Sequence, residues 1–256
     1  MAAEPDGLTL RTLDHVEGRL APAPLTFTPE ERAAIDAHYA ARKAANPALW
    51  NGRVLLLDAH RFEERRLVAD YAEADYAALL WLLSGERAHP RLRVSFAMGA
   101  LRGADGGFVL IRMAQWTANA GRIYFAAGTP DLADLTPEGT VDLEGSVRRE
   151  LAEETGLTAA DITLAPGWTA LHDARRLALL REVRAHEEAE ALAARIRRFG
   201  AREQRPEFDE VRVVRGPQDL TEGISPLIRR YLAQAWATQA WREGPAPAMG
   251  TGQGTG

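Results

Sequence analysis

The chain has 256 residues, 46% of them hydrophobic, which is enough for a sizeable core, and a formal net charge of -5. That balance argues against a protein whose main task is gripping nucleic acid, which needs a concentrated positive field. Cysteine is absent, so disulfides, thiolate metal sites and cysteine nucleophiles are excluded.

The opening Met1-Ala2-Ala3-Glu4-Pro5-Asp6 is acidic and has no apolar segment, and no apolar run approaches the roughly 20 residues of a membrane span. A cytoplasmic protein without membrane partners is expected. Residues 8–21 alternate Leu, Thr and Val and read as one or two strands closed by Ala21-Pro22-Ala23-Pro24. Thr28 as N-cap, Pro29 and Glu31 predict a helix running to about Ala45, stopped by Asn46-Pro47. Strands are expected over 53–60 and 61–70, and a helix over 73–83 ended by Ser84-Gly85. The first 90 residues therefore read as an α+β extension.

From residue 91 a second region is expected to run to 243. Strands at 94–101 and 108–112 flank a turn at Asp105-Gly106-Gly107, and another strand spans 121–127 before Gly128-Thr129-Pro130. A helix follows from Asp142 to Thr155, with Gly156 as its C-cap. Strands at 162–171 and 176–184, a helix over 187–199, a strand at 211–215 and a helix after Ser225-Pro226 complete the region. The Gly, Pro and Ala-rich tail 244–256 is expected to be disordered.

The helix before Gly156 carries the chemistry. With about 100° between successive residues, Glu153 and Glu154 lie about 60° and 40° to either side of Glu150, so all three carboxylates point one way. Like charges at this spacing cost an isolated helix a few tenths of a kcal/mol per pair. An exposed acidic stripe balanced by Arg148 and Arg149 would explain it, and so would a hard divalent cation that takes carboxylate and phosphate oxygens.

The surrounding residues favour the cation. Arg149-Glu150-Leu151-Ala152-Glu153-Glu154-Thr155-Gly156-Leu157 resembles the C-terminal part of the Nudix box, Arg-Glu-aliphatic-any-Glu-Glu-any-Gly-aliphatic, at every specified position. The resemblance implies an α/β/α sandwich around a mixed sheet, preceded here by the α+β extension. It also implies that Glu150, Glu153 and Glu154 bind Mg²⁺ or Mn²⁺ while Arg149 orients them. The first half of the box departs from the pattern, with Val141 in place of its Glu and Leu135 in place of its Gly. Gly128 is expected to take over the glycine turn, with an insertion in 131–140. Glu138 or Glu144 would then replace the missing partner of Arg149.

The implied reaction is metal-dependent hydrolysis of a nucleoside diphosphate linked to another moiety. A nucleotide sugar is the first candidate, because Asn46-Pro47-Ala48-Leu49-Trp50-Asn51-Gly52 resembles a segment of extended Nudix proteins that cleave UDP-glucose. A general base is needed, either a box glutamate or one of Glu207, Asp209 and Glu210, which precede a strand. Arg112 and Trp116, at a strand end, are candidates to bind phosphate and stack on a base, with Gly128 and Glu210 also assigned to the substrate side. His172-Asp173 beside a strand reads more simply as structural. Alternatives are a catalytically inactive Nudix-fold binding or interaction module and a hydrolase of free nucleotides; a homodimer through the extension is compatible with each.

Overall fold

The computed structural model describes residues 7–85 and 88–243, without the side chains of 239–243; the first six residues and the tail from Gly244 lie outside this range. In chain order the elements are β1 (Thr9–Leu13), β2 (His15–Leu20), α1 (Pro29–Ala45), β3 (Arg53–Glu63), β4 (Arg66–Asp75), α2 (Tyr76–Ser84), β5 (Val94–Arg102) and β6 (Phe108–Met113). After them come β7 (Ile123–Tyr124), β8 (Ala127–Gly128), β9 (Thr140–Val141), α3 (Leu143–Thr155), β10 (Ile162–Leu164), β11 (Trp168–His172), β12 (Arg176–Ala185), α4 (Ala189–Gly200), β13 (Phe208–Val214) and α5 (Pro226–Glu243).

The main sheet runs β1-β11-β12-β5-β6-β13, with the short β10, β7 and β8 attached to β12, β6 and β5. It is mixed, because β12 and β5 pair in parallel while their other neighbours are antiparallel. Helices cover both faces. Leu151 of α3 packs where Gly99 leaves room on β5, whereas Arg102, an odd number of residues further along the strand, lies over Phe108, and Tyr231 of α5 meets Phe108 and Phe125. Successive strand residues face opposite sides, so α3 and α5 flank the sheet, and α4 packs beside α3. This is the expected α/β/α sandwich.

A second sheet, β3-β4-β2-β9, is built mostly from the N-terminal region. One face contributes Leu55, Leu57 and Leu67 to the main core; the other, with Val54 and Leu56, packs under Ile35 of α1 and Leu79 and Leu80 of α2. The two regions exchange strands. The N-terminal β1 pairs with β11 of the main sheet, and β9, from the loop before α3, pairs with β2.

Local signals explain the helices that matter most. At α1, Thr28 and Glu31 form the reciprocal capping box, with N–H to oxygen distances of 2.8 and 3.2 Å. At α3, the Asp142 carboxylate accepts from Gly145 N–H at 2.8 Å, and Gly156 closes the helix at a φ of 70° that glycine adopts without strain. Leu143, Val147 and Leu151 on its inner face are buried. At about 1.5–3 kcal/mol per buried aliphatic side chain, that packing outweighs the few tenths per pair lost to repulsion among its glutamates.

Candidate active site

The three glutamates of α3 occupy different environments. Glu153 is exposed, Glu150 is mostly covered and Glu154 is buried. Glu154 accepts a hydrogen bond from the Ala127 backbone N–H at 3.1 Å. Glu150 lies against Gly128, where an added Cβ would stand 2.7 Å from Glu150 Cγ and closer still to its carboxylate. Gly128 is therefore needed here as a close approach of backbone to side chain. The β8 strand and the acidic face of α3 thus touch.

One guanidinium serves this face. Arg149 is 2.8 Å from Glu150 and 3.5 Å from Glu153, and its Nη2 donates to both oxygens of Asp134 at 3.1 and 3.2 Å. Asp134, buried in a 3-10 turn over Leu132–Asp134, takes the place expected of Glu138 or Glu144. Its carboxylate also accepts from Asp131 N–H at 3.0 Å, and its carbonyl accepts from Asp142 N–H at 2.8 Å. It therefore ties Arg149 to the turn that leads into α3. Glu144 pairs instead with Arg148 and Arg181. Val141 is buried in β9, where it pairs with Gly18.

A single shared arginine leaves carboxylate charge uncompensated. Burial pushes Glu150 up to about 7, the nearby Arg149 acting against it and Glu153, Asp134 and Glu207 adding to the rise. Burial, then Glu150 and Glu207, raises Glu154 well above the ordinary carboxylate range despite the Ala127 N–H. Glu207 is itself raised by burial and by Glu153. A fourth carboxylate, from the segment entering β13, therefore belongs electrostatically to this cluster.

The neighbouring acids behave differently. Asp209 and Glu210 pair with Arg112 at 2.6 and 2.7 Å, and Glu210 also with Arg212 at 2.6 Å. Trp116 donates from Nε1 to the Pro206 carbonyl at 3.1 Å, and Arg205 lies over its ring. Asn46 donates to the Trp116 carbonyl at 2.8 Å, while Asn51 accepts from Ala77 N–H at the start of α2. The Asn46–Gly52 segment thus ties the loop after β6 to the N-terminal region. His172 packs on Phe62 and His60 between the two sheets, and Asp173 pairs with Arg176 at 2.8 Å.

Ala127, Gly128 and Thr129 also line a cavity of about 430 Å³. Its walls come from α1, α2, β5, the 118–124 segment and the start of α5, and neither Arg112, Trp116, Glu210 nor the α3 glutamates are among its lining residues. Of its lining residues only Gly128 was marked for the site by the sequence pattern, because the others converge from distant parts of the chain.

The donor set suits a hard cation: all-oxygen ligands, mostly removed from water, with one arginine among them. Among the described residues no three such groups are already gathered as a cation cage. The fit is that of an open site, in which carboxylates of this face would act with water and substrate phosphate oxygens, as magnesium is commonly held.

No family model and no curated protein matches the chain. Solved structures similar to it include a Nudix hydrolase from M. Smegmatis, RenU, at 19% identity and TM-score 0.39, covering 57% of this chain and 87% of that one. The MutT protein from Methanosarcina mazei Go1 is similar at 17% identity and TM-score 0.40, covering 61% and 99%. DR0079 from Deinococcus radiodurans is similar at 14% and 0.38, covering 73% and 90%. With scores this low, the functional reading rests on this chain's own residues.

Proposed function

We propose that the protein is a metal-dependent pyrophosphohydrolase of the Nudix type, cleaving a nucleoside diphosphate linked to another moiety. The observation that carries this reading is the crowding of Glu150, Glu154 and Glu207 beside exposed Glu153, with Arg149, among the described residues, as the one cation that pairs with Glu150 and Glu153. A surface stripe would keep its carboxylates in water; here two of the three on α3 are withdrawn from it at an energetic cost.

Glu150, Glu153 and Glu154 would hold Mg²⁺ or Mn²⁺. Bound there, the ion would neutralise the diphosphate and lower the pKa of an attacking water. The protein's own groups do the rest. Asp134 fixes Arg149, and Arg149 fixes the Glu150 and Glu153 carboxylates; the Ala127 N–H fixes Glu154. Glu207 is the preferred proton acceptor outside α3, since Asp209 and Glu210 are committed to arginines. A carboxylate whose proton affinity burial has raised is better suited to collect a proton than an ordinary one.

The Asn46–Gly52 resemblance supports a nucleotide sugar as substrate. A screen with Mg²⁺ or Mn²⁺ tests the proposal, using nucleotide sugars, ADP-ribose, NADH, coenzyme A, dinucleoside polyphosphates and nucleoside triphosphates. Cleavage within a diphosphate, giving two phosphorylated products, is expected; no metal-dependent cleavage of any of them would refute it.

A further inference from the structure

The cavity beyond Gly128 has a charge pattern opposite to that of α3. Among the described residues its charged lining is Arg42, Arg122 and Arg176, with no aspartate or glutamate. In a chain of net charge -5, that lining gathers positive charge in one cavity. Arg176 is paired with Asp173. For Arg42 and Arg122, no carboxylate among the described residues forms an ion pair; Arg42 donates only to the Ala118 carbonyl, at 3.4 Å. Arg42 comes from α1, and Arg122 from the segment leading into β7. The lining also includes Asn119, which donates to the Tyr124 hydroxyl at 3.3 Å, together with Tyr76 and the apolar Leu79 and Met98.

Two guanidiniums without a carboxylate partner among the described residues line one cavity and present forked donors that match a phosphate or carboxylate. Neither arginine pairs with the α3 glutamates, whose guanidinium partner is Arg149, and those glutamates do not line the cavity. The apolar Leu79 and Met98 suit a carbon-bearing group on the same ligand.

We propose that this cavity binds a phosphate monoester carried by the substrate beyond its scissile diphosphate, with Arg42 and Arg122 as the anion-binding residues. This rests on the hydrolase reading for the word substrate, but not for the binding site. The N-terminal region, through Arg42, Tyr76 and Leu79, then determines specificity by recognising the far end of the substrate.

The test uses the full chain, stripped of divalent ions, so that the acidic helix repels phosphate. Ribose 5-phosphate and ribose are titrated calorimetrically into the wild type, Arg42→Gln and Arg122→Gln, with circular dichroism confirming that the variants are folded. Ribose 5-phosphate should bind and ribose should not; each variant should weaken binding about tenfold or more, as expected for loss of a charge-assisted hydrogen bond. Equal binding of the two sugars, or unchanged binding in both folded variants, would overturn the proposal. A parallel measurement compares turnover of NADPH and NADH, which differ by one phosphate monoester, in wild type and Arg122→Gln. A preference for NADPH that the variant loses supports the substrate assignment. If no diphosphate is hydrolysed while the arginine-dependent binding persists, the hydrolase reading falls and the anion site stands.

Discussion

The acidic face of α3 and the arginine-lined cavity both meet one short strand, Ala127–Gly128, and they are assembled by opposite routes. The acidic face is local: three glutamates within one and a half turns, capped by Asp142 and Gly156. The cavity is collected from α1, α2, β5, the 118–124 segment and α5. The first concentrates negative charge and needs a cation; the second concentrates positive charge and needs an anion. A substrate with phosphates at both ends, bridged by a cation at one of them, would satisfy both.

The largest effects should come from the acidic side. Glu153→Gln and Glu154→Gln each remove one ligand charge while nearly preserving shape. Steady-state kinetics should show roughly a hundredfold to thousandfold loss of turnover, equivalent to about 3–4 kcal/mol of transition-state stabilisation. Folding should persist, because the buried glutamate already suffers desolvation that a neutral amide avoids.

Gly128→Ala sharpens the boundary between the regions. A methyl group there displaces Glu150, and a misplacement of about 1 Å at a reacting centre costs on the order of a hundredfold in rate. Turnover should fall by about that factor while thermal stability changes little; an unaffected rate would mean that the position of Glu150 does not matter.

Asp134→Asn acts one step further away. It leaves Arg149 without its buried partner and should destabilise the fold by about 1–3 kcal/mol in chemical denaturation, with a smaller loss of turnover than the α3 substitutions. If the variant matches wild type in both, Asp134 does not position Arg149.

The smallest effect lies at the seam between the sheets. His60 and His172 are both lowered by burial; Arg93 and Arg11 oppose protonation and Asp173 favours it. At neutral pH both rings are uncharged in either state. As pH falls below the unfolded value near 6.5, the unfolded chain takes up protons that the folded pair resists, so stability should decline through that window. His172→Gln should flatten the decline measured by thermal unfolding between pH 7 and 5; an unchanged slope would assign it to other groups.

Much of the architecture was legible because its signals are short-range. The Thr28 box, the Asp142 cap and the Gly156 stop each depend on neighbours within four residues, and α1 and α3 fall where those signals place them. Where tertiary pairing decides, the sequence misleads. The expected strand over 121–127 is two fragments, because β7 pairs with β6 and β8 with β5, so the chain changes partner at Phe125-Ala126. The helix expected from Glu73 starts at Tyr76, because β4 remains paired with β3 up to Asp75. Within the site, the i, i+3, i+4 spacing marked Glu150, Glu153 and Glu154, whereas Asp134 reaches Arg149 across 15 residues through a turn that no periodicity announces. Arg42 and Arg122 carried no signal either, since a composition with Lys43 as its only lysine makes individual arginines uninformative.

The central claim is that the α3 carboxylates hold a divalent ion for catalysis. Thermal unfolding of wild type and Glu154→Gln, with and without Mg²⁺ or Mn²⁺, measured alongside turnover on the best diphosphate substrate, tests it most directly. A ligand that binds only the folded state raises its melting temperature, so the account predicts a metal-dependent rise in wild type that is lost, together with turnover, in the variant. A variant that keeps full activity, or a wild type that hydrolyses its substrate equally well in chelator, would contradict it.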